Sequence, residues 1–125
     1  DSIQSIDRIK IIDLISKIKK TNKHILTEEF FLQVNIGNEK QKSGFRIEEI
    51  EKIYKYSISL NLPIVGFMCI PPNNDNSDFY FQKMLELRNR INPNLLLSMG
   101  MSNDFKIALQ NKSDIIRIGS LIFND

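Results

Sequence analysis

Two short segments near the C-terminal end carry the residue types best suited to chemistry. Leu97-Ser98-Met99-Gly100-Met101-Ser102 and Ile115-Ile116-Arg117-Ile118-Gly119-Ser120 are each an apolar run that stops at small or polar residues. The first reads as a strand feeding a helix, the second as a neighbouring strand of one sheet. Free backbone N–H groups at a helix start, together with the helix dipole, suit a dianion. Ser102, Gly119 and Ser120 are therefore candidate phosphate contacts. Arg117 is flanked by Ile115, Ile116 and Ile118, and a buried arginine without a partner is costly. It must meet a carboxylate, backbone carbonyls or a ligand. Taken singly, an internal salt bridge at Arg117, an N-cap at Ser102 and a tight turn at Gly119 explain the same residues. Taken together, they suit a phosphate carried on a flat, nitrogen-bearing ring.

Other chemistry finds little support. Parallel strands covered on both faces should be almost wholly apolar, so Gln33, Asn35 and Ser98 stand out as polar exceptions. Met68, Met99 and Met101 suit packing. Cys69 suits a buried small hydrophobe, and nothing near it in sequence lowers its pKa. The single histidine, His24, sits in a polar connection with no second ligand at metal spacing. Lys40 and Lys42 lie between two glycines and suit a solvated loop. No Walker or dinucleotide-binding glycine pattern is present. No catalytic Ser/His/Asp set is expected.

The elements that must position these residues follow from periodicity. Ser2–Asp7 reads as a strand end leading into a helix over about 7–20, with Ser5 as N-cap. Residues 30–36 form an aromatic and β-branched strand. Phe31, Gln33 and Asn35 share one face of it, and Leu32, Val34 and Ile36 the other. Gly37–Gly44 is a loop whose terminal glycines suggest special backbone angles. An amphipathic helix runs from Ile47 to about Leu60. A strand over 64–70 is stopped by Pro71-Pro72. A helix over 78–89 presents Phe81, Met84, Leu85 and Arg88 along one side. A strand over 95–99, a short helix over 103–110 capped by Ser102, and a strand over 115–118 complete the chain. Strand–helix alternation implies right-handed crossovers and a parallel sheet. The fold class is α/β: a small doubly wound sheet, or about half of a (β/α)8 TIM-type barrel.

Bulk properties narrow the partners. The 17 basic and 15 acidic residues leave a net charge of +2, too balanced to argue for nucleic acid or an anionic membrane. Lys17, Lys19, Lys20 and Lys23 gather at one helix end, where the dipole favours cations. One cysteine permits no internal disulfide and fits a reducing, cytoplasmic setting. No apolar run approaches the ~18 residues of a membrane span, and no signal-peptide pattern appears. The first residue is Asp1, not a methionine.

The motif set closely resembles a known family. Its parts are Gln33-Val34-Asn35-Ile36-Gly37-Asn38-Glu39-Lys40-Gln41-Lys42-Ser43-Gly44; Gly66-Phe67-Met68-Cys69-Ile70-Pro71-Pro72; Leu97 to Ser102 followed by Asp104-Phe105; and Arg117-Ile118-Gly119-Ser120 with Ile122-Phe123. All four, in this order, resemble the pyridoxal 5′-phosphate (PLP) homeostasis proteins, the YggS/PROSC-type members of the alanine-racemase N-terminal-domain superfamily. The resemblance covers essentially the whole chain, as the C-terminal portion of the family sequence. It implies one partial barrel domain over residues 1–125, holding strands four to eight, with the cofactor at the C-terminal mouth. It assigns Ser102, Gly119 and Ser120 to the phosphate and Arg117 to the pyridine nitrogen, with Asn35 and Met68 lining the mouth. A cation at the ring nitrogen disfavours its protonation and weakens the ring as an electron sink.

The resemblance further implies a non-catalytic, monomeric, cytoplasmic protein that binds and buffers PLP. Three departures qualify it. Ser120 replaces the commoner threonine. Asn124-Asp125 stand where Phe-Gly is usual. The family's N-terminal third, with the Val-Ser-Lys strand that supplies the Schiff-base lysine, has no counterpart here, so no covalent Schiff base is expected in this chain. A chain of this length would leave two open sheet edges, which favour self-association. The alternatives are a PLP-dependent amino-acid racemase domain, which needs a catalytic lysine, and a non-binding relic fragment.

Overall fold

In the computed structural model, the residues described are 2–21, 29–40, 43–72, 76–101 and 104–117. Nine elements alternate: β1 (Ser2–Ile6), α1 (Ile9–Thr21), β2 (Glu29–Gln33), α2 (Ile47–Ser59), β3 (Ile64–Met68), α3 (Ser77–Ile91), β4 (Leu96–Met101), α4 (Phe105–Gln110) and β5 (Ile115–Arg117). The five strands are parallel and lie in the order β1-β2-β3-β4-β5. That order decides between the two expected architectures. A doubly wound sheet reverses its strand order at a switch point, whereas a barrel adds each strand beside the last. The fold is a partial (β/α)8-type barrel.

The core lies between the sheet and its helices. Ile6, Phe30, Leu32, Val34, Phe67, Cys69, Leu97 and Met99 meet Ile12 and Ile15 of α1, Ile50 and Ile53 of α2, and Phe81, Met84 and Leu87 of α3. Alternation along each strand sends the intervening residues to the opposite face. The register aligns Phe31, Gly66 and Leu96 as one row of that face, then Gln33, Met68 and Ser98 as the next. Outside the core, the Tyr56 hydroxyl donates to Asp13 Oδ1 at 2.5 Å and ties α2 to α1. That bond is the main cause holding the exposed Tyr56 phenol above its ordinary pKa.

Several sequence expectations move. Ser5 is inside β1 and cannot be an N-cap; α1 starts at Ile9, after the strand has ended. β2 stops at Gln33; the Val34 N–H still donates to the Met68 carbonyl at 2.8 Å, and Val34 makes an isolated parallel bridge to Phe45. β3 ends at Met68, while β4 runs on to Met101. The fourth helix starts later than expected, at Phe105, with Asp104 at the N-cap position; Ser102 lies outside the described residues. On α3 the buried row is Ser77, Phe81, Met84 and Leu87. Leu85 is only partly buried, and the Arg88 guanidinium donates instead to the Leu95 carbonyl at 2.8 Å. Of the loop glycines, Gly44 has φ +118° as expected, whereas Gly37 is needed for close approach: a Cβ there would fall 2.4 Å from Pro72 Cγ.

Phe67 is fully buried and meets Tyr54 edge-on, ring centroids 6.1 Å apart. Phe67→Ala is expected to cost about 3–5 kcal/mol of unfolding free energy in urea titration. Leu14→Ala, at a position more than half exposed, is expected to stay within about 0.5 kcal/mol of the parent.

Candidate functional site

The C-terminal ends of β4 and β5 are brought together by a small polar clasp. Ser113 and Asp114, just before β5, face the first half of β4. The Ser113 hydroxyl lies 2.7 Å from the Met99 carbonyl and 2.9 Å from that of Ile115. The Met99 N–H reaches its oxygen at 3.3 Å. Asp114 makes a reciprocal pair with Leu97: the Leu97 N–H donates to Asp114 Oδ2 and the Asp114 N–H donates to the Leu97 carbonyl, each at 2.8 Å. The clasp lies beside the pairing of Ser98 with Ile115; the register then shifts by one residue, so that Met101 stands opposite Arg117. The described parts of the two segments, Leu97–Met101 and Ile115–Arg117, thus lie side by side, at the strand ends where barrels hold their ligands.

The exit from β4 is shaped by two residues. Gly100 has φ +106°, and a Cβ there would lie 2.6 Å from the Ala108 Cβ of α4. Asp104 then closes the turn from both sides. Its Oδ1 accepts the Met101 N–H at 2.6 Å, and its own N–H donates to the Met101 carbonyl at 3.1 Å. The residues of this turn that carry the phosphate expectation, and their counterparts after β5, cannot be placed: Ser102, Gly119 and Ser120 lie outside the described residues. Arg117 is described only as the last residue of β5.

Asn35 and Met68 are both placed. Met68 ends β3, 2% exposed, in the row between Gln33 and Ser98. Asn35 is 8% exposed, and its amide is engaged with the backbone. Nδ2 donates to the Glu39 carbonyl at 2.7 Å, and Oδ1 accepts the Glu39 N–H at 3.2 Å. Phe45 returns to β2 by accepting the Asn35 N–H and donating to the Gln33 carbonyl, each at 2.8 Å. Asn35 therefore organises the loop over 35–45. A cleft of about 320 Å³ at this loop is lined by Asn35, Asn38, Glu39, Lys40, Gly44 and Arg46.

Sequence reasoning passed over Asp104, Ser113 and Asp114. The only local signal was polar residues just outside an apolar run, which any turn would show. Cys69 is fully buried, as expected. His24 and Lys42 lie outside the described residues. None of the five strands contains a lysine. Among the described residues, no group of three or more His, Cys, Asp or Glu side chains is placed to hold a metal ion, and no helix is long and apolar enough to cross a membrane.

Comparison with known proteins agrees with this architecture. No family model matches the chain. The pyridoxal phosphate homeostasis protein of Aquifex aeolicus is 34% identical over 132 residues, covering 98% of this chain and 57% of the relative. That of Haemophilus influenzae is 38% identical over 133 residues, covering 98% and 55%. The chain belongs to the pyridoxal phosphate homeostasis protein family. It spans a little over half the length of these relatives. Among solved structures, an unknown protein from Bifidobacterium adolescentis superposes with a TM-score of 0.86 at 27% identity, over 98% of this chain and 53% of its own. PipY of Synechococcus elongatus, solved without PLP, gives 0.80 at 24% identity over 98% and 61%, and PipY solved with PLP bound gives 0.75 at 23%. The PipY likeness shows the shared fold.

The clasp and the loop predict separable effects. Asp104→Ala removes a charged acceptor from the Met101 N–H and is expected to cost about 1–2 kcal/mol in chemical denaturation. Asp104→Asn, which keeps an acceptor oxygen, is expected to recover at least half of that. Gly44→Ala, at a positive φ with a Cβ 2.8 Å from the Asn35 nitrogen, is expected to cost more than about 1 kcal/mol.

Proposed function

We propose that this chain supplies the phosphate-and-ring part of a PLP site and serves cofactor homeostasis rather than catalysis. The reading rests on one observation above all. β4 and β5 pair in parallel with Met101 opposite Arg117, and in the sequence Ser102 directly follows the first of these residues while Gly119-Ser120 stand two and three positions after the second. The family's curated relatives are named for PLP homeostasis, and PipY has been solved with PLP bound.

The donor set fits the group. Hydroxyls at Ser102 and Ser120 and backbone N–H groups, including that of Gly119, would hold the phosphate dianion, and the Arg117 guanidinium would face the ring nitrogen. PLP supplies an aldehyde and an electron-sink ring. A cation at the ring nitrogen keeps that atom unprotonated and lowers the ring's power as a sink, which suits storage more than turnover. With no lysine on any of the five strands, the reading is of non-covalent binding. Asn35 holds the neighbouring loop in place, and Met68 gives the mouth an apolar floor. In this reading β1–β5 are strands four to eight of the family barrel. The protein works in the cytoplasm, where Cys69 remains a thiol.

The test is titration with PLP, followed by near-ultraviolet absorbance before and after borohydride and by intact mass. Saturable binding without a mass increment is expected. Arg117→Ala and Ser102→Ala are each expected to weaken binding about 10–100-fold, the worth of one charge-assisted contact. A borohydride-fixed adduct on one lysine would overturn the non-covalent reading. Absence of any binding would leave the motifs as a relic.

A further inference from the structure

The fold treats the four methionines of the chain unequally. Met84 and Met99 are fully buried and belong to the core cluster. Met68, which ends β3, is 2% exposed. Met101, the last residue of β4, is 41% exposed. The packing expected of Met68 and Met99 from the sequence therefore does not extend to Met101. Its neighbour shows where the cover stops: a Cβ on Gly100 would fall 2.6 Å from the Ala108 Cβ, so α4 packs directly over that residue. Oxidation of a thioether follows its access to solvent, and burial screens three of the four. The single cysteine, Cys69, is fully buried as well. The backbone of Met101 is held independently of its side chain, since Asp104 accepts its N–H and donates to its carbonyl.

We infer that Met101 is a modification site, the one thioether that a hydroperoxide converts to the sulfoxide in the folded chain. A sulfur lone pair attacks one peroxide oxygen, and the S–O bond forms as the O–O bond breaks. The proton of the transferred hydroxyl passes to the departing hydroxide, which leaves as water. Sulfur gives up two electrons and the peroxide takes them. A thiol-dependent sulfoxide reductase restores the thioether. Oxidation replaces a flexible apolar side chain by a polar one. The change falls at the strand position opposite Arg117 and directly before Ser102 in the sequence. It therefore weakens the hold of the mouth on PLP, a consequence that rests on the cofactor-binding reading above.

The folded chain is treated with hydrogen peroxide and followed by intact mass and peptide mapping, with fragment ions separating Met99 from Met101. One added oxygen is expected on Met101, at a rate at least about tenfold above that of Met68, Met84 or Met99. Met101→Leu should remain unoxidised over the same interval and melt at the parent temperature. In denaturing urea the four methionines should react alike, which ties the selectivity to the fold. Faster oxidation at Met68, Met84, Met99 or Cys69 overturns the inference, as does equal reactivity of all four methionines in the folded chain. PLP titration supplies the second arm. The oxidised chain is expected to bind about five- to tenfold more weakly than the reduced chain, and peroxide should leave the affinity of Met101→Leu unaltered. Equal affinities of the two forms overturn the effect on the mouth. A reduced chain that binds no PLP overturns the cofactor reading instead, and the peptide map alone then decides the oxidation site.

Discussion

The arrangement at the strand ends depends on the reciprocal hydrogen bonds between Leu97 and Asp114, with Ser113 bridging to Met99. β5 is described over three residues, Ile115–Arg117. Side-chain oxygens acting on β4 backbone groups add to its ladder. A slip of one residue would flip every side chain of β5 to the other face of the sheet. The clasp therefore holds Ser98 opposite Ile115, and an irregularity beyond it, one extra residue on β4, brings Met101 opposite Arg117. The turn at Asp104 extends the same device beyond the strand. There a carboxylate and a backbone N–H hold both groups of Met101, so the chain leaves β4 in one direction.

The loop after β2 shows how a polar residue in an apolar strand can serve structure. Asn35 is nearly buried, and its amide uses both ends on Glu39. An amide is suited to this because it donates and accepts at once. The loop returns through Phe45, whose backbone bonds mimic one step of a parallel ladder. A loop closed at its base and braced near its middle gives the mouth of the barrel a formed wall. Asn35 thus fixes the turn that follows β2.

The sheet also shows how a partial barrel can stay ordered. One face is covered by α1 to α3 and carries the aromatic core. The other keeps Phe31, Met68 and Ser98 buried, as stacked rows from neighbouring strands. Among the described residues, β1 and β5 each have a neighbouring strand on one side only. Function in this family fold lives at strand ends, and those ends are held by the core and the clasps.

Periodicity alone determined most of the elements. Apolar spacing marks α2 and α3 to within two residues at either end, and β-branched and aromatic runs mark β2 to β5. Strand–helix alternation gave a parallel sheet, and four ordered motifs gave the family. These are local or linear signals, so a linear reading recovers them. Strand order was not legible, because right-handed crossovers are the same in a doubly wound sheet and a barrel; only the contacts of β1 to β5 separate the two. The roles of Asp104, Ser113 and Asp114 were equally hidden, since a turn residue is told from a clasp only by what lies opposite it. The bracing bonds of Asn35 were hidden for the same reason: its partner, Glu39, is set by a fold-back that no spacing rule encodes. Residue type determined what each side chain can donate or accept, and tertiary structure decided which backbone groups it meets.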